Sequence, residues 1–275
     1  MNGEVDPMYR EARRVLLDVI EKLDGLRRSV VLVGAQAVHL RVAEVPAQLV
    51  AYTTDGDIAI DPATVAPEPD LAAVMDAAGM QKGDQPGIWS PKAAGPDAPT
   101  VDLLVPRAFA DSPTKRGAVL RGHSANAARY VSGIEGCLVD CDEMTIGALD
   151  IKDARRFRLS IAGPGALLIA KLHKLGDRIR DERRRDRLEP KDAYEAYRLM
   201  QLPKDVVVAG WKKCLADERA RAVASEAVGL LRDLFGTADS PGSQLAAEYA
   251  GRAEDPDVVT ASAAALANEL LAELG

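Results

Sequence analysis

Apolar residues recur at helical spacing at the start of the chain and then give way to short runs typical of strands. Over residues 9–23 they come every three or four positions with charged residues between them, which predicts a helix that ends near Gly25. The β-branched run over 29–33 predicts a buried strand. Gly34 follows as a turn, and residues 36–41 can open a second helix.

Short elements continue up to residue 162. From Asp57 onward, polar and apolar residues partly alternate, which predicts a strand with two unlike faces. No single pattern stands out over residues 107–143. The other elements predicted for this part are a helix over 71–78, strands at 88–89 and 100–105, and strands or strand-like loops at 144–151 and 157–161.

The pattern changes after Gly163. Residues 166–187 predict one long helix, Pro190 interrupts the pattern, and a helix resumes over 191–199. A final helix is predicted over 258–274. We therefore expect the α+β fold class, with an α+β domain over 1–162 and a helical C-terminal domain over 163–275.

Composition narrows the class of protein. The 275 residues are 47% hydrophobic and 28% charged with a formal net charge of −7, which suits a globular chain and argues against a protein that coats nucleic acid. No apolar run nears the roughly 20 residues of a membrane span, and the acidic start is unlike a secretory signal. Three cysteines without ligand spacing favour free thiols and a cytoplasmic location.

Three acids carry the candidate chemistry. Asp55 and Asp57 are two apart at the start of a predicted strand, so their side chains point to one face. Such a pair repels unless a cation joins it, and Mg²⁺ prefers oxygen ligands of this kind. Asp102 lies in a second predicted strand and completes a two-metal site if the two strands are neighbours. Gly34 stands at a turn where the backbone can approach phosphate oxygens.

Plainer interpretations of these acids stay open at this point. Asp-Gly-Asp is also a common loop tripeptide, and Asp102 can be an ordinary acid of an edge strand. The sequence alone does not tell whether the two strands are neighbours, so the metal site is a hypothesis that depends on their pairing.

The chain resembles the nucleotidyltransferases of the DNA polymerase beta superfamily. The run Val-Leu-Val-Gly-Ala-Gln-Ala over 31–37 precedes Thr-x-Asp-Gly-Asp over 53–57, and Asp102 in Val-Asp-Leu-Leu matches the third acid of that family. Ile-Ala-Lys-Leu-His over 169–173 and Lys-Asp-Ala-Tyr-Glu over 191–195 resemble motifs of its AbiEii branch, which includes the MenT-type toxins.

The resemblance implies a fold, a reaction and a set of residues. The fold is a nucleotidyltransferase-type mixed sheet with flanking helices, and the reaction uses an NTP and two Mg²⁺ ions held by Asp55, Asp57 and Asp102. Lys171 and Asp192 are the further catalytic residues it implies, contributed by the helical domain. The nucleotide-binding residues it implies are Gly34, Ala35, Gln36, Thr54, Lys171, Lys174 and Arg178.

Four positions depart from the family pattern. Ala35 and Gln36 follow the glycine where the family has Gly or Ser, which puts one usual phosphate contact in question. Gly56 replaces an apolar residue between the two acids and loosens the start of the strand. Glu195 stands where Asp is common. Because none of the three metal-binding acids is missing, we expect the site to be catalytically active.

Basic residues suggest contacts with phosphates. Lys171, Lys174 and Arg178 recur at three- and four-residue steps and so share one helical face. Residues 171–191 carry nine Lys or Arg and five Asp or Glu, a local charge of +4 that leaves −11 for the rest. Solvated helix charges and ion pairs are the alternative. The candidate RNA-binding residues are Arg183, Arg184, Arg185 and Arg187.

Three functions follow from these observations. The first is transfer of a nucleoside monophosphate to an RNA hydroxyl, with tRNA as acceptor and the protein acting as the toxin of a toxin–antitoxin system, as the resemblance implies. The second is the same reaction on a small molecule, as in aminoglycoside nucleotidyltransferases, or on a protein side chain. The third is a nucleotide- or RNA-binding module without turnover. The partners expected for the first are an NTP, RNA and a cognate antitoxin, with no membrane.

Overall fold

A computed structural model gives the structure of residues 5–46, 49, 51–93, 95, 97–110, 116–251 and 253–275, leaving aside the side chains of Glu182, Arg184 and Arg185. The chain forms two compact units, each built from separate segments. The first unit comprises Met1–His39, Val50–Ser132 and Cys141–Ala162, and the second comprises Leu40–Leu49, Gly133–Asp140 and Gly163–Gly275.

The first unit is built on a mixed β-sheet. Within the described residues, eight strands form it: β1 (Val30–Val33), β2 (Asp55–Ile60), β3 (Met80–Lys82), β4 (Ile88–Pro91), β5 (Thr100–Pro106), β6 (Arg129–Val131), β7 (Cys141–Gly147) and β8 (Arg156–Ala162). Their order is β3-β4-β5-β2-β1-β8-β7, with β6 beside β5. β1 is antiparallel to β2, whereas β2, β5 and β6 run parallel to one another.

Helix α1 (Pro7–Lys22) covers part of this sheet and packs against β2, β5 and β8. It begins at Asp6, whose Oδ1 accepts hydrogen bonds from the N–H groups of Met8 at 2.8 Å and Tyr9 at 3.1 Å. Its apolar stripe is buried, as the helical period predicts. The other helices that start in this unit are α2 (Gly34–Arg41) and α3 (Leu71–Ala77).

The second unit is helical. Its main helices are α4 (Pro164–Arg180), α5 (Pro190–Met200), α6 (Lys204–Ala216), α7 (Arg221–Phe235), α8 (Pro241–Ala250) and α9 (Pro256–Leu274). Helix α4 packs against α5, α6 and α7. At its start the buried Asp140 carboxylate accepts the N–H of Ala166 at 3.2 Å, and a Cβ on Gly163 or Gly210 would overlap that carboxylate. Glycines at those two positions therefore make room for the acid that caps α4.

The α+β fold class predicted from sequence is confirmed, but two predicted elements were wrong in extent. The helix over 166–187 ends at Arg180, and residues 182–187 form a 3₁₀ helix, because no apolar residue between Ile179 and Leu188 gives that stretch a face to bury. The strand over 144–151 is β7, which ends at Gly147. Ile151 lies 99% exposed in the hairpin turn, where the carboxylates of Asp150 and Asp153 accept backbone N–H groups.

Candidate functional site

The three acids lie on neighbouring parallel strands of the first unit. Asp57 on β2 is the direct cross-strand partner of Asp102 on β5, and Asp55 precedes Asp57 by two residues. Paired residues of adjacent strands share a face, as do residues two apart. Asp55, Asp57 and Asp102 therefore project from the same side of the sheet, and we call them the acidic strand face.

Gly34 lies directly against this face. Its φ of +67° is in the left-handed region, and a Cβ there would stand 1.9 Å from Oδ2 of Asp57. Any other residue would be strained and would overlap the carboxylate. The turn after β1 therefore brings bare backbone next to Asp57, which is partly exposed.

Each end of the acidic strand face has a partner inside the chain. The Asp102 carboxylate, of which 9% is exposed, forms an ion pair with the Arg129 guanidinium on β6. The Asp55 carboxylate accepts a hydrogen bond from the hydroxyl of Thr53, a wholly buried residue. Neither contact was predicted from the sequence.

The carboxylates fit Mg²⁺ in chemistry and in strand position, because it prefers oxygen donors and needs few protein ligands. Gly34 also keeps the space beside Asp57 clear of side-chain carbon. The ion pair with Arg129, however, engages Oδ2 of Asp102. Among the described residues, no group of three or more His, Cys, Asp and Glu side chains is placed to hold a metal ion.

The side chain of Gln36 holds the backbone of Asp55. Its Nε2 donates to the backbone carbonyl of Asp55 at 2.9 Å, and its Oε1 accepts from Nε of Arg13 at 2.6 Å. The buried Arg13 also donates to the carbonyl of Gly147 at 3.0 Å and to the hydroxyl of Tyr9 at 2.8 Å. Burial lowers the pKa of Arg13, and the neighbouring Tyr9 partly offsets this effect.

The predicted nucleotide-binding residues of the first unit differ in how far they are exposed to solvent. The Gln36 side chain is 1% exposed and that of Ala35 is buried, so their predicted phosphate contact is left to the backbone. Thr54 is exposed, and its carbonyl accepts the N–H of Thr100 at 3.1 Å. Gly56 is buried, and a Cβ there would be 3.0 Å from Cδ1 of Leu16. Its departure from the family pattern therefore has a packing reason, since it lets α1 approach β2 closely.

The second unit holds a group of ionic side chains around two buried acids, which we call the ion cluster: Lys171, Lys174, Arg178, Lys191, Asp192 and Glu195. Asp192 accepts from Nζ of Lys171 at 2.7 Å, from Nζ of Lys174 at 2.9 Å and from Nη1 of Arg178 at 2.6 Å. Lys171 also pairs with Glu195, which lies 3.7 Å from Nζ of Lys191. The helical face predicted for the three α4 cations thus converges on Asp192 of α5.

Charges within the ion cluster outweigh the cost of burial. Desolvation opposes the charged form of Lys171, but Asp192 and Glu195 raise the pKa of its ammonium above the ordinary value. Desolvation likewise opposes ionisation of Asp192, but Lys171, Lys174 and Arg178 hold its pKa well below the usual range. Both groups are charged at neutral pH, and Lys174, with 41% of its side chain exposed, is the cation most open to solvent.

The predicted RNA-binding arginines lie in the 3₁₀ segment 182–187. Arg183 and Arg187 are exposed, and the side chains of Arg184 and Arg185 lie outside the described part of the structure. No helix among the described residues is both long and apolar enough to cross a membrane.

Two solved structures from Helicobacter pylori are similar to this chain over most of its length. One is the crystal structure of JHP933, with 10% identity, a TM-score of 0.35 and coverage of 98% of this chain and 95% of that one. The other is the crystal structure of a "putative nucleotidyltransferase", with 12% identity, a TM-score of 0.32 and coverage of 98% and 97%. No protein-family model and no curated protein matches the chain.

Two residues next to the predicted site, Arg13 and Arg129, escaped the sequence interpretation, and each touches a predicted site residue. Thr53 and Glu195 belong to the motifs quoted for the resemblance, but their contacts with Asp55 and Lys171 were not predicted. Only Arg13 leaves a usable signal, because it is a charged residue on the apolar stripe of α1. Arg129 lies in the stretch 107–143 that carried no clear pattern.

Proposed function

We propose that the protein is a Mg²⁺-dependent nucleotidyltransferase that moves a nucleoside monophosphate from an NTP to an acceptor hydroxyl. The observation that carries this proposal is the register of Asp57 against Asp102 across parallel strands, with Asp55 on the same face and Gly34 beside Asp57. Carboxylates on one strand face beside a bare backbone turn suit a metal-bound triphosphate.

In the proposed reaction the acceptor oxygen attacks the α-phosphorus of the NTP. A new O–P bond forms, the bond from the α-phosphorus to the bridging oxygen breaks, and pyrophosphate leaves with that oxygen. Asp55, Asp57 and Asp102 would hold the cation, which supplies positive charge to the triphosphate and its leaving group. Catalysis would consist mainly of positioning and charge neutralisation.

We also assign phosphate contacts to the cations of the second unit. The support is the family resemblance together with the charge of Lys171, Lys174 and Arg178. Lys174 is the most exposed of them and carries the strongest expectation of binding a phosphate directly. Lys171 and Asp192 retain the catalytic roles that the resemblance implies, and their mutual ion pair makes each a requirement for the other.

The RNA acceptor and the role as a toxin belong to the same proposal and depend on the resemblance. The local charge of +4 over residues 171–191 is consistent with a polyanionic acceptor. The exposure of Arg183 and Arg187 leaves both available for a phosphate backbone.

The first experiment is a labelling reaction with Mg²⁺, each labelled NTP in turn and total tRNA. Asp57→Asn is the inactive variant. Asp24→Asn is the matched control, because that acid is 81% exposed on the surface of the same unit. We expect label on tRNA with the native protein and Asp24→Asn, and none with Asp57→Asn.

The other outcomes distinguish the remaining acceptors. Label on the protein itself identifies a side chain as acceptor. Pyrophosphate release with a small hydroxyl compound, without label on tRNA, identifies a small-molecule enzyme. NTP binding without pyrophosphate release from the NTP, whichever acceptor is supplied, overturns the transferase proposal in favour of a binding module.

Growth of a bacterial host tests the proposed toxin role. Induced expression of the native protein and of Asp24→Asn should arrest growth, whereas Asp57→Asn should not. Equal growth of all three strains, at matched protein levels, would contradict the toxin role without affecting the transferase proposal.

A further inference from the structure

Arg129 belongs to the same face of the sheet as the three acids. Strand β6 runs parallel to β5, and Arg129 is the cross-strand partner of Leu104. Leu104 comes two residues after Asp102, so both project from one side of β5. The parallel strands β2, β5 and β6 therefore present Asp57, Asp102 and Arg129 on one surface.

The local backbone holds Arg129 close to Asp102. Gly87 has a φ of +76°, and a Cβ there would lie 2.7 Å from the backbone nitrogen of Arg129 and 3.0 Å from its Cγ. The carbonyl of the same glycine accepts the N–H of Leu103 at 2.8 Å. A glycine at position 87 thus lets the Arg129 stem pack beside β5, and its guanidinium meets the Asp102 carboxylate.

This ion pair occupies one of the two oxygens with which Asp102 could bind a metal ion. Guanidinium–carboxylate bonds are charge-assisted and strong, and Arg129 is 27% exposed at its side chain, so solvent screens the pair only in part. A guanidinium and a divalent cation on the same carboxylate also repel each other.

We propose that Arg129 is a resident cation that competes with divalent metal for Asp102. In the protein without nucleotide, Asp55 and Asp57 bind one divalent cation and Asp102 stays paired with Arg129. Asp102 joins the metal site only when the guanidinium releases it. This inference rests on the proposed function, because it takes the acidic strand face to be the metal site.

Binding of Mn²⁺ alone, without nucleotide, tests the competition. Free Mn²⁺ is counted by electron paramagnetic resonance during titration of the native protein and of Arg129→Met. Removing a unit charge a few ångströms from the site should tighten Mn²⁺ binding about tenfold. Arg129→Gln, which keeps a hydrogen-bond donor for Asp102 but no charge, should give the same direction of change if Arg129→Met does not fold.

A double variant locates the effect at Asp102. Asp102→Asn should weaken Mn²⁺ binding by itself, because it leaves the Arg129 charge uncompensated, and Arg129→Met should tighten binding less in that background than in the native one. Arg129→Lys, which keeps the charge, should bind Mn²⁺ as the native protein does. Equal affinity of native protein, Arg129→Met and Arg129→Gln would overturn the inference.

Asp57→Asn separates this failure from failure of the proposed function. If Asp57→Asn weakens Mn²⁺ binding while the Arg129 variants leave it unchanged, only the competition is wrong. If Asp57→Asn leaves Mn²⁺ binding unchanged, the acidic strand face is not a metal site and both proposals are overturned.

Discussion

The acidic strand face of the first unit and the ion cluster of the second differ in how far their acids are buried and in the charges that surround them. On the acidic strand face, Asp55 and Asp57 are partly exposed and carry like charge on one strand. In the ion cluster, Asp192 and Glu195 are almost fully buried and lie among Lys and Arg side chains. The acids of the ion cluster are compensated by Lys and Arg side chains of the same unit, whereas Asp55 and Asp57 keep more contact with solvent.

Replacement of Lys171 should give the largest loss of stability, because it removes a cation that pairs with two buried acids. Lys171→Met leaves Asp192 and Glu195 with less compensating charge in a buried setting, and we expect a loss of about 3 kcal/mol in the free energy of unfolding. Lys174→Met is the matched control and should cost below about 1 kcal/mol, since that side chain is 41% exposed. Urea denaturation measures both. Equal losses would contradict the distinction.

The pH dependence of the melting temperature should reflect the ionisation of Asp192 in the ion cluster. The pKa of Asp192 is lowered in the folded protein, so its stabilising contribution is present above about pH 4, the ordinary carboxyl value, and is lost as pH falls further. The difference in melting temperature between native protein and Asp192→Asn should therefore shrink below about pH 4. Asp177→Asn, an exposed acid of α4, should show no such convergence.

Lys171 should give the opposite pH dependence, with its contribution to stability lost at high pH. Its pKa is raised, so its contribution is complete below about pH 10, the ordinary lysine value, and is lost only as pH rises toward the raised folded value. A melting temperature that fell between pH 7 and pH 9 in the native protein but not in Lys171→Met would contradict this account.

Gly34→Ala should damage the acidic strand face. An alanine in the left-handed region costs about 1–2 kcal/mol, and its Cβ would also overlap the Asp57 carboxylate. Gly79→Ala is a close control, because Gly79 has a φ of +78° but open space around its Cβ. Thermal unfolding should show a larger loss for Gly34→Ala, and Mn²⁺ binding should weaken only there. Identical losses would mean that the contact with Asp57 contributes nothing.

Asp55→Asn should have the smallest effect on stability. Asparagine keeps an oxygen that accepts the Thr53 hydroxyl, and the change removes one of two like charges on the strand. We expect the free energy of unfolding to stay within about 0.5 kcal/mol of the native value. The isosteric change at Asp192 should be far more damaging, and similar values for the two variants would remove the contrast between the units.

Local sequence patterns were sufficient for the elements that carry the acids. The helical period of α1, the β-branched run of β1 and the Asp-x-Asp spacing depend on neighbours along the chain, and the structure contains all three features. The end of α4 was not predicted, because charged residues after Ile179 are also compatible with a solvated helix. The signal that was overlooked is the absence of apolar residues up to Leu188, which leaves that stretch without a face to bury.

Pairings between distant residues were beyond the sequence. The register of Asp57 against Asp102 joins strands that are far apart along the chain, and either orientation of β5 would fit its apolar run. The contact of Arg129 with Asp102 depends on β6, a three-residue strand with no alternation to reveal it. The partners of Lys171 likewise require the packing of α4 on α5.

The hydrogen bonds of Arg13 bear on how this protein should be trimmed for experiments. The signature motifs start at β1, so a fragment chosen by motif would begin near Val30 and discard the first helix. That fragment would lose the side chain that fixes Gln36, and through it the carbonyl of Asp55, and it would also expose Gly56 where Leu16 packs. The smallest piece of the first unit that keeps these contacts therefore extends from the N-terminal helix through β7, whose Gly147 carbonyl anchors the same arginine, to β8, the strand that joins β7 to the sheet.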